Sequence, residues 1–332
     1  MSRERRPLLS RVADSIYWMA RYIERAENVA RYMAVNAQLQ LDLPLEPAYQ
    51  WQPLIDTSGD MDAFKERYGV ATEESVTQFL AFDEKNLNSI YSCLHTAREN
   101  ARSVRETISS EMWEQVNSMY LRIQAQREAA NRQEAFTEML RSVRLDCHMF
   151  QGITDATMSH NEAWHFLRIG RDLERADKTS RILDVKYFIL LPKVSSVGTP
   201  YDDLHWSAVL KSVSGFEAYR KVYGRISHRN IVELLVMDPE FPRSIRYCVT
   251  AAGESLRAIT GSPVGSSQYE SERQMAALES ELDNTTADRI VDVTGLHEYL
   301  DCLQTQMNEV DNSLLQEFFI WRPVERAIGA SS

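Results

Sequence analysis

The sequence predicts an all-α protein, a helical bundle built from two sequence-related halves that share one core. Three observations carry this. Residues 10–36 (SRVADSIYWMARYIERAENVARYMAVN) hold no glycine or proline, and Leu9, Val12, Ile16, Met19, Ile23, Ala26, Ala30, Met33 and Ala37 step by threes and fours along one helical face. The stretch returns in altered form at residues 164–186 (WHFLRIGRDLERADKTSRILDVK). There Glu24-Arg25-Ala26 lies over Glu174-Arg175-Ala176, Arg21 over Arg171, Glu27 over Asp177, Arg31 over Arg181 and Val35 over Val185. Strand-like runs such as VELLVM are helical in the context of this repeat, so no strand is expected.

Beyond the first helix, Pro44, Pro47 and Pro53 mark a broken connector, with a short helix around Trp51, Leu54 and Ile55. Residues 61–68 read as a brief helix ended by Gly69, and Thr72 with Glu73 and Glu74 starts another before Val76, Phe79 and Leu80. Asp83 is read as the cap of a helix running past Ile90, Leu94 and Ala101 to Ile108. Residues 110–133 make a long charged helix, residues 135–152 one more, and residues 154–159 lead into the second Glu-Arg-Ala stretch.

The plan then repeats. Pro192, Gly198 and Pro200 form the second connector, and Trp206, Leu210, Tyr219 and Tyr223-Gly224 answer Trp51, Ile55, Phe64 and Tyr68-Gly69. QFLAFD, ending at Asp83, matches ELLVMD, ending at Asp238; Ile90, Cys93, Glu99 and Arg102 meet Ile245, Cys248, Glu254 and Arg257. The offset is 150 positions from Glu24 to Glu174 and 155 from Asp83 to Asp238, because the second connector is longer. An internal duplication is expected, with residues 1–155 as the first helical repeat and 156–332 as the second, in one compact unit. Residues 262–268 (SPVGSSQ) read as a loop where the first half keeps helix, and residues 274–282 and 296–319 close the chain as helices.

Composition narrows the function. A formal charge of -11, spread along the 332 residues, argues against a nucleic-acid or anionic-membrane surface, which needs a basic patch. Cys93, Cys147, Cys248 and Cys302 stand far apart, as reduced and mostly buried thiols do, rather than as a disulfide framework or zinc site. No apolar run approaches the ~18 residues of a membrane span, and the basic start MSRERRPLL lacks the apolar core of a signal peptide. A cytoplasmic protein is expected, without nucleic-acid or membrane partners.

The candidate chemistry lies on the repeated helix. On a helical wheel the polar sector of the first copy is Tyr17, Arg21, Glu24, Glu27, Asn28 and Arg31, while Arg25 falls among Trp18, Tyr22, Val29 and Tyr32. Arg175 has a more polar setting, near Arg168, Asp172, Thr179 and Ile182. A guanidinium enclosed like Arg25 must be paired, and Glu24 and Glu174 are the carboxylates at hand. Glu27–Arg31, Asp177–Arg181 and Glu174–Lys178 also read as i,i+4 pairs worth roughly 0.2–0.5 kcal/mol each on a solvated face. The Glu-Arg charges are therefore either structural or the lining of a central pocket. In the pocket reading Arg21, Arg25, Arg171 and Arg175 hold a carboxylate or phosphate, and Glu24 or Glu174 serves as general base.

Other constellations are thinner. Glu162 and His165 make one ExxH, but a di-iron bundle needs a second and further carboxylates, so no metal is expected. Cys147 and His148 are neighbours that diverge by ~100° on a helix. No phosphate loop, dinucleotide fingerprint or nucleophile elbow is present, and no cofactor is expected. Met112, Trp113, Met119 and Tyr120 read as core or contact surface. Residues 241–244 (FPRS) read as a helix entry with Pro242 in the first turn, from which Arg243 can reach the centre.

The segments LSRVADSIYWMARYIERAENVAR, ARENARSVRETISSEMWEQVN, FLRIGRDLERADKTSRILDVK and FPRS together resemble the bacterial alpha-E family, a helical family named for its Glu-Arg motif. The resemblance covers nearly the whole chain and supplies no catalytic residues. It implies association with a circularly permuted ATP-grasp ligase, a transglutaminase-like protease and a proteasome-like hydrolase, and so a place in peptide or amide-bond chemistry. The first expectation is an accessory, non-catalytic component that binds the ligase or a peptide. The alternatives are an enzyme with the central Arg/Glu site Arg21, Glu24, Arg25, Arg171, Glu174 and Arg175, and a scaffold in which those charges fix helix register.

Overall fold

A computed structural model of the chain describes residues 8–42, 47–129, 133–190, 200–265 and 268–320. Among the described residues every regular element is helical. Helix α1 (Ser10–Asp42) leads into α2 (Pro47–Ser58), α3 (Met61–Tyr68) and α4 (Glu73–Thr77), and α4 runs on as a π turn, Gln78–Phe82. Next come α5 (Ile90–Ser103), α6 (Ser110–Ala129) and α7 (Gln133–Thr157). The second long helix, α8 (Glu162–Leu190), is followed by α9 (Pro200–Ser212), α10 (Phe216–Val222) and α11 (His228–Val232), which also continues as a π turn, Glu233–Met237. Then follow α12 (Ile245–Thr260), α13 (Glu270–Asp283), α14 (Ala287–Arg289) with the π turn Ile290–Thr294, and α15 (Leu296–Leu314) with the π turn Leu315–Phe319. The expected connector residues Pro44, Pro192 and Gly198, and part of the 262–268 loop, lie outside the described residues.

Helices α1 and α8 pack along each other at the centre. Around α1 stand α5, α7 and α9; around α8 stand α12, α15 and α2. One hydrophobic core runs through all of them, with Ile16, Met19, Ile23 and Met33 of α1 fully enclosed. The close approach of the central pair depends on Gly170. A Cβ there would meet the Tyr17 carbonyl oxygen at 2.4 Å, and that atom is backbone and cannot yield.

Helix boundaries differ from the sequence expectation at α5 and at α12. Asp83 does not open the long helix but closes the preceding π turn; its carboxylate takes the Lys85 N–H at 2.9 Å and the side chains of Arg67 and Tyr68. The helix begins at Ile90, where Ser89 caps it by accepting the Ser92 N–H at 3.1 Å, and it ends at Ser103 rather than Ile108. Likewise Pro242 is not in a first helical turn: residues 239–244 form bends and a turn, and Ser244 is the cap of α12, accepting the Tyr247 N–H at 3.0 Å. In both places a serine hydroxyl outcompetes its neighbours as cap because it also donates to the carbonyl of the aspartate six residues back, Asp83 for Ser89 and Asp238 for Ser244.

Two of the helical glycines, Gly170 and Gly152, give opposite expectations. Gly170→Ala should destabilise by about 1–3 kcal/mol through overpacking. Gly152→Ala on α7, where a Cβ meets nothing within 4 Å, should stabilise by about 0.4–1 kcal/mol through the unfolded chain. Urea unfolding of the two variants beside wild type checks both signs.

Candidate functional site

The polar sector of α1 faces α8, not solvent. Glu24 is 1% exposed, Glu27 and Glu174 0%, and Arg21, Arg31 and Arg175 no more than 7%. The aromatic side of α1 is the more open one. Trp18 and Tyr22 are half-buried, and they lie 5.2 Å and 5.5 Å from the guanidinium carbons of Arg21 and Arg25 as cation–π partners. Of the two settings the sequence left open for these charges, a solvated face and an enclosed centre, the structure has the enclosed one. A charged sector can be interior when the neighbouring helix brings charges of opposite sign in register.

The pairing between the two helices is reciprocal. Arg25 donates from Nε and Nη2 to Glu174 at 2.6 and 2.8 Å; Arg175 donates from Nε and Nη2 to Glu24 at 3.0 and 2.8 Å. Each is a fork-to-fork bond, the strong geometry for guanidinium and carboxylate. The shells around the two glutamates differ. Glu24 also accepts from Arg243 at 3.1 Å, Asn28 at 3.0 Å and Gln151 at 3.2 Å. Glu174 accepts from Arg21 at 2.9 Å and has the Lys178 ammonium at 3.7 Å. Arg21 continues to Tyr17 at 2.9 Å and to Asp311 of α15, and Arg25 continues to Asn88 at 2.6 Å. Arg171, the sixth candidate, binds its neighbour Asp172 at 2.8 Å instead of a central glutamate. It shares with Glu24 a cavity of about 10 Å³, room for one water.

The electrostatics follow from these contacts. Burial alone would raise the Glu24 carboxyl, but Arg175 and Arg243 outweigh it and hold it well below the usual carboxylate range. For Glu174 burial is likewise overcome, by Arg25, Lys178 and Arg21. Both are held as carboxylates with their lone pairs occupied. The i,i+4 acid–base pairs foreseen on a solvated face also form, but in the interior: Glu27–Arg31, Asp177–Arg181 at 3.0 Å, and Glu174–Lys178. Arg243 reaches the centre as its position in FPRS suggested, touching Glu24, Glu27 and Asn28.

Sequence reasoning passed over Asn88, Gln151 and Asp311 as members of this network. Asn88 carried a usable signal, since it stands 155 positions before Arg243, the same offset that links Asp83 with Asp238. Gln151 and Asp311 carried none. Of the other candidates, Glu162 accepts the Leu8 backbone N–H at 3.0 Å, and His165 stands edge-on to Trp164 with ring centroids 5.0 Å apart. Cys147 is buried with its thiol 3.5 Å from the Ile23 carbonyl, while the neighbouring His148 reaches the surface. Burial pushes the Cys93 thiol up to about 12 and raises Cys147 and Cys248 as well. Met112 and Met119 are core, whereas Trp113 and Tyr120 are half-buried beside Arg98.

The profile of a family described as "a predicted alpha-helical domain with a conserved ER motif" matches residues 8–319. This chain belongs to the Alpha-E family. Among curated relatives, uncharacterised proteins of Mycobacterium bovis and Mycobacterium tuberculosis are 24% identical over 280 residues, covering 78% of this Alpha-E chain and 31% of their own length. The chain thus spans about a third of the curated relatives it matches. No solved structure matches it. No helix among the described residues of this Alpha-E protein is long and apolar enough to cross a membrane.

Glu24→Gln and Arg175→Met should each cost about 3–5 kcal/mol, because each leaves a buried charge without its partner. Their double variant should cost less than the sum by about 0.5–3 kcal/mol, read by urea denaturation. Since folding depresses the Glu24 and Glu174 carboxyls, their stabilising contribution is complete above the ordinary carboxylate pKa of ~4.3 and is lost as pH falls through the lower folded-state values. Glu24→Gln should therefore flatten the acid side of the stability–pH curve. Under native conditions a thiol reagent should modify only the exposed Cys302 of the four cysteines, and all four in denaturant.

Proposed function

We propose that this Alpha-E chain is a non-catalytic accessory component, binding a ligase or a peptide in an ATP-grasp-linked peptide- or amide-ligation system. The observation that carries the non-catalytic part is the reciprocal Glu–Arg exchange. A general base needs a carboxylate that can reach substrate and take a proton near neutral pH. Glu24 and Glu174 are enclosed, ionised and bonded by two or more guanidinium or amide donors each. An anionic ligand on Arg25 or Arg175 would have to displace a carboxylate already bound bidentately. In this reading Arg21, Glu24, Arg25 and Glu174–Arg175 fix the register of α1 against α8, and Arg171 braces Asp172 beside them.

The ligation context is what membership of the family implies. The curated relatives are consistent with it, because there the matched segment is under a third of a longer protein, as for a module working beside another. The cytoplasm is the compartment this reading requires. We further infer that the chain is an internal duplication, in two helical repeats of residues 1–155 and 156–332. Equal offsets support it: π turns at Gln78–Phe82 and Glu233–Met237, serine caps at Ser89 and Ser244, and thiols donating to the carbonyls of Leu87 and Pro242.

The reading is tested by co-expressing the chain with an ATP-grasp ligase encoded beside it. Co-purification and a change in ligase turnover are expected, with no ATP or peptide turnover by the isolated chain. Turnover by the chain alone, removed by Glu24→Gln at unchanged fold, would establish the enzyme reading instead.

A further inference from the structure

About two turns along α1 from Glu24 the charge balance fails. Arg31 is 3% exposed, and Glu27 is its carboxylate partner. Arg243 bonds the same Oε1 atom of Glu27. Arg144 of α7 is half-buried and near enough to feel the charge of Glu27, while Arg31 feels that of Arg144. Among the described residues no carboxylate pairs with Arg144. The other carboxylate in reach of Arg243, Glu24, is matched by Arg175. Three guanidiniums, Arg31, Arg144 and Arg243, thus draw on Glu27 as the one carboxylate not already matched, in a chain whose formal charge is -11.

The hydrogen-bond account is also incomplete there. The Nε–H groups of Arg31 and Arg144 are both buried and unbonded. Two unsatisfied charged donors, on guanidiniums that both act on Glu27, call for an acceptor with several oxygens. The side chains at the edge of this cluster are polar and reach solvent. Exposed Ser214, between α9 and α10, accepts a hydrogen bond from Arg31 Nη1, so its own O–H proton is available to donate outward. It also holds φ at 53°, in the left-handed region that disfavours a side chain. His148 Nε2 lies 3.3 Å from Arg31 Nη2 with half its side chain exposed. Burial, opposed by Glu27 at 3.6 Å and aided by Arg31, draws its pKa below the usual value, which favours the neutral ring that can accept from Arg31.

We propose that this corner is a binding site for a phosphate-class dianion, free or carried on a small organic molecule, gripped by Arg31 and Arg144 with Ser214 and His148 at its mouth. The uncompensated charge matches a dianion better than a monocarboxylate, and the donors outnumber the two oxygens a carboxylate brings. The site adjoins the Glu–Arg exchange through Arg243 but uses neither of its forked bonds, and it holds whether or not the chain serves a ligase.

The test titrates the full chain with inorganic phosphate, by calorimetry and thermal midpoint, against sodium chloride at matched ionic strength. Wild type should bind and gain midpoint, and so should Arg105→Gln, whose guanidinium lies over Trp113 instead. Arg144→Gln should bind about ten- to a hundredfold more weakly, the loss of a charge-assisted bond. Ser214→Gly relieves the positive φ and removes the hydroxyl, so it should fold at least as well as wild type and bind several-fold more weakly. Competition by glycerol phosphate assigns the site to an ester-borne group; phosphate binding without such competition assigns it to the free ion. The proposal is overturned if wild type does not bind phosphate, if chloride reproduces the shift, or if Ser214→Gly and folded Arg144→Gln bind as wild type does.

Discussion

Glu24 and Glu174 sit as ionised groups in the interior of the bundle, and each is gripped by the arginine next to the other: Arg175 holds Glu24, Arg25 holds Glu174. Much of the fold answers to that exchange. A buried carboxylate left alone costs several kcal/mol, so once these two are enclosed the elements carrying their donors, and those carrying the acceptors that hold the donors, must stay in place. Those elements are α1 and α8 themselves, the turn before α12 through Arg243, the turn before α5 through Asn88, α7 through Gln151 and α15 through Asp311. A slip of one turn between the central helices, about 5.4 Å, would strand four charges at once. Net stabilisation from such pairs is small, because desolvation offsets attraction. What they impose is register, enforced by the penalty on every misaligned packing.

The exchange is symmetric but its surroundings are not, and the difference falls on two turns of similar build. Both turns leave a π turn, pass an aspartate and end on a capping serine. The first delivers a neutral amide, Asn88, to Arg25; the second delivers a guanidinium, Arg243, to Glu24 and Glu27. The first side therefore closes on itself with Asp311 completing Arg21. The second carries surplus positive charge outward through Glu27 to Arg31, where Ser214 occupies the place that Gly59 holds 155 positions earlier, both with positive φ. The anionic ligand expected at Arg25 thus finds its place taken by Glu174, while an unfilled demand for acceptors appears at the edge of the bundle.

The helical class, the centrality of residues 10–36 and 164–186, and the pairing of Arg25 with a glutamate were legible because each rests on local rules. Helical period shows which residues share a face, and an enclosed guanidinium must have a partner. The caps were misread at Asp83 and at Pro242 because aspartate and proline are good helix openers in isolation. In the folded chain each serves the turn before the helix, and Ser89 and Ser244 take the cap by bonding at both ends.

What the sequence determined by itself is which side chains lie together on each helix and that their charges come in complementary sets. It did not determine which side of α1 faces inward. By polarity alone Glu24, Glu27 and Arg31 belong outside and Trp18 and Tyr22 inside; in the packed structure the charges are enclosed and the two aromatic rings are only half-buried against the core. That choice is made only when α8 supplies Glu174 and Arg175 at the same height and the turn before α12 supplies Arg243. A helix face is hydrophilic only toward water, and toward a matching face it becomes core.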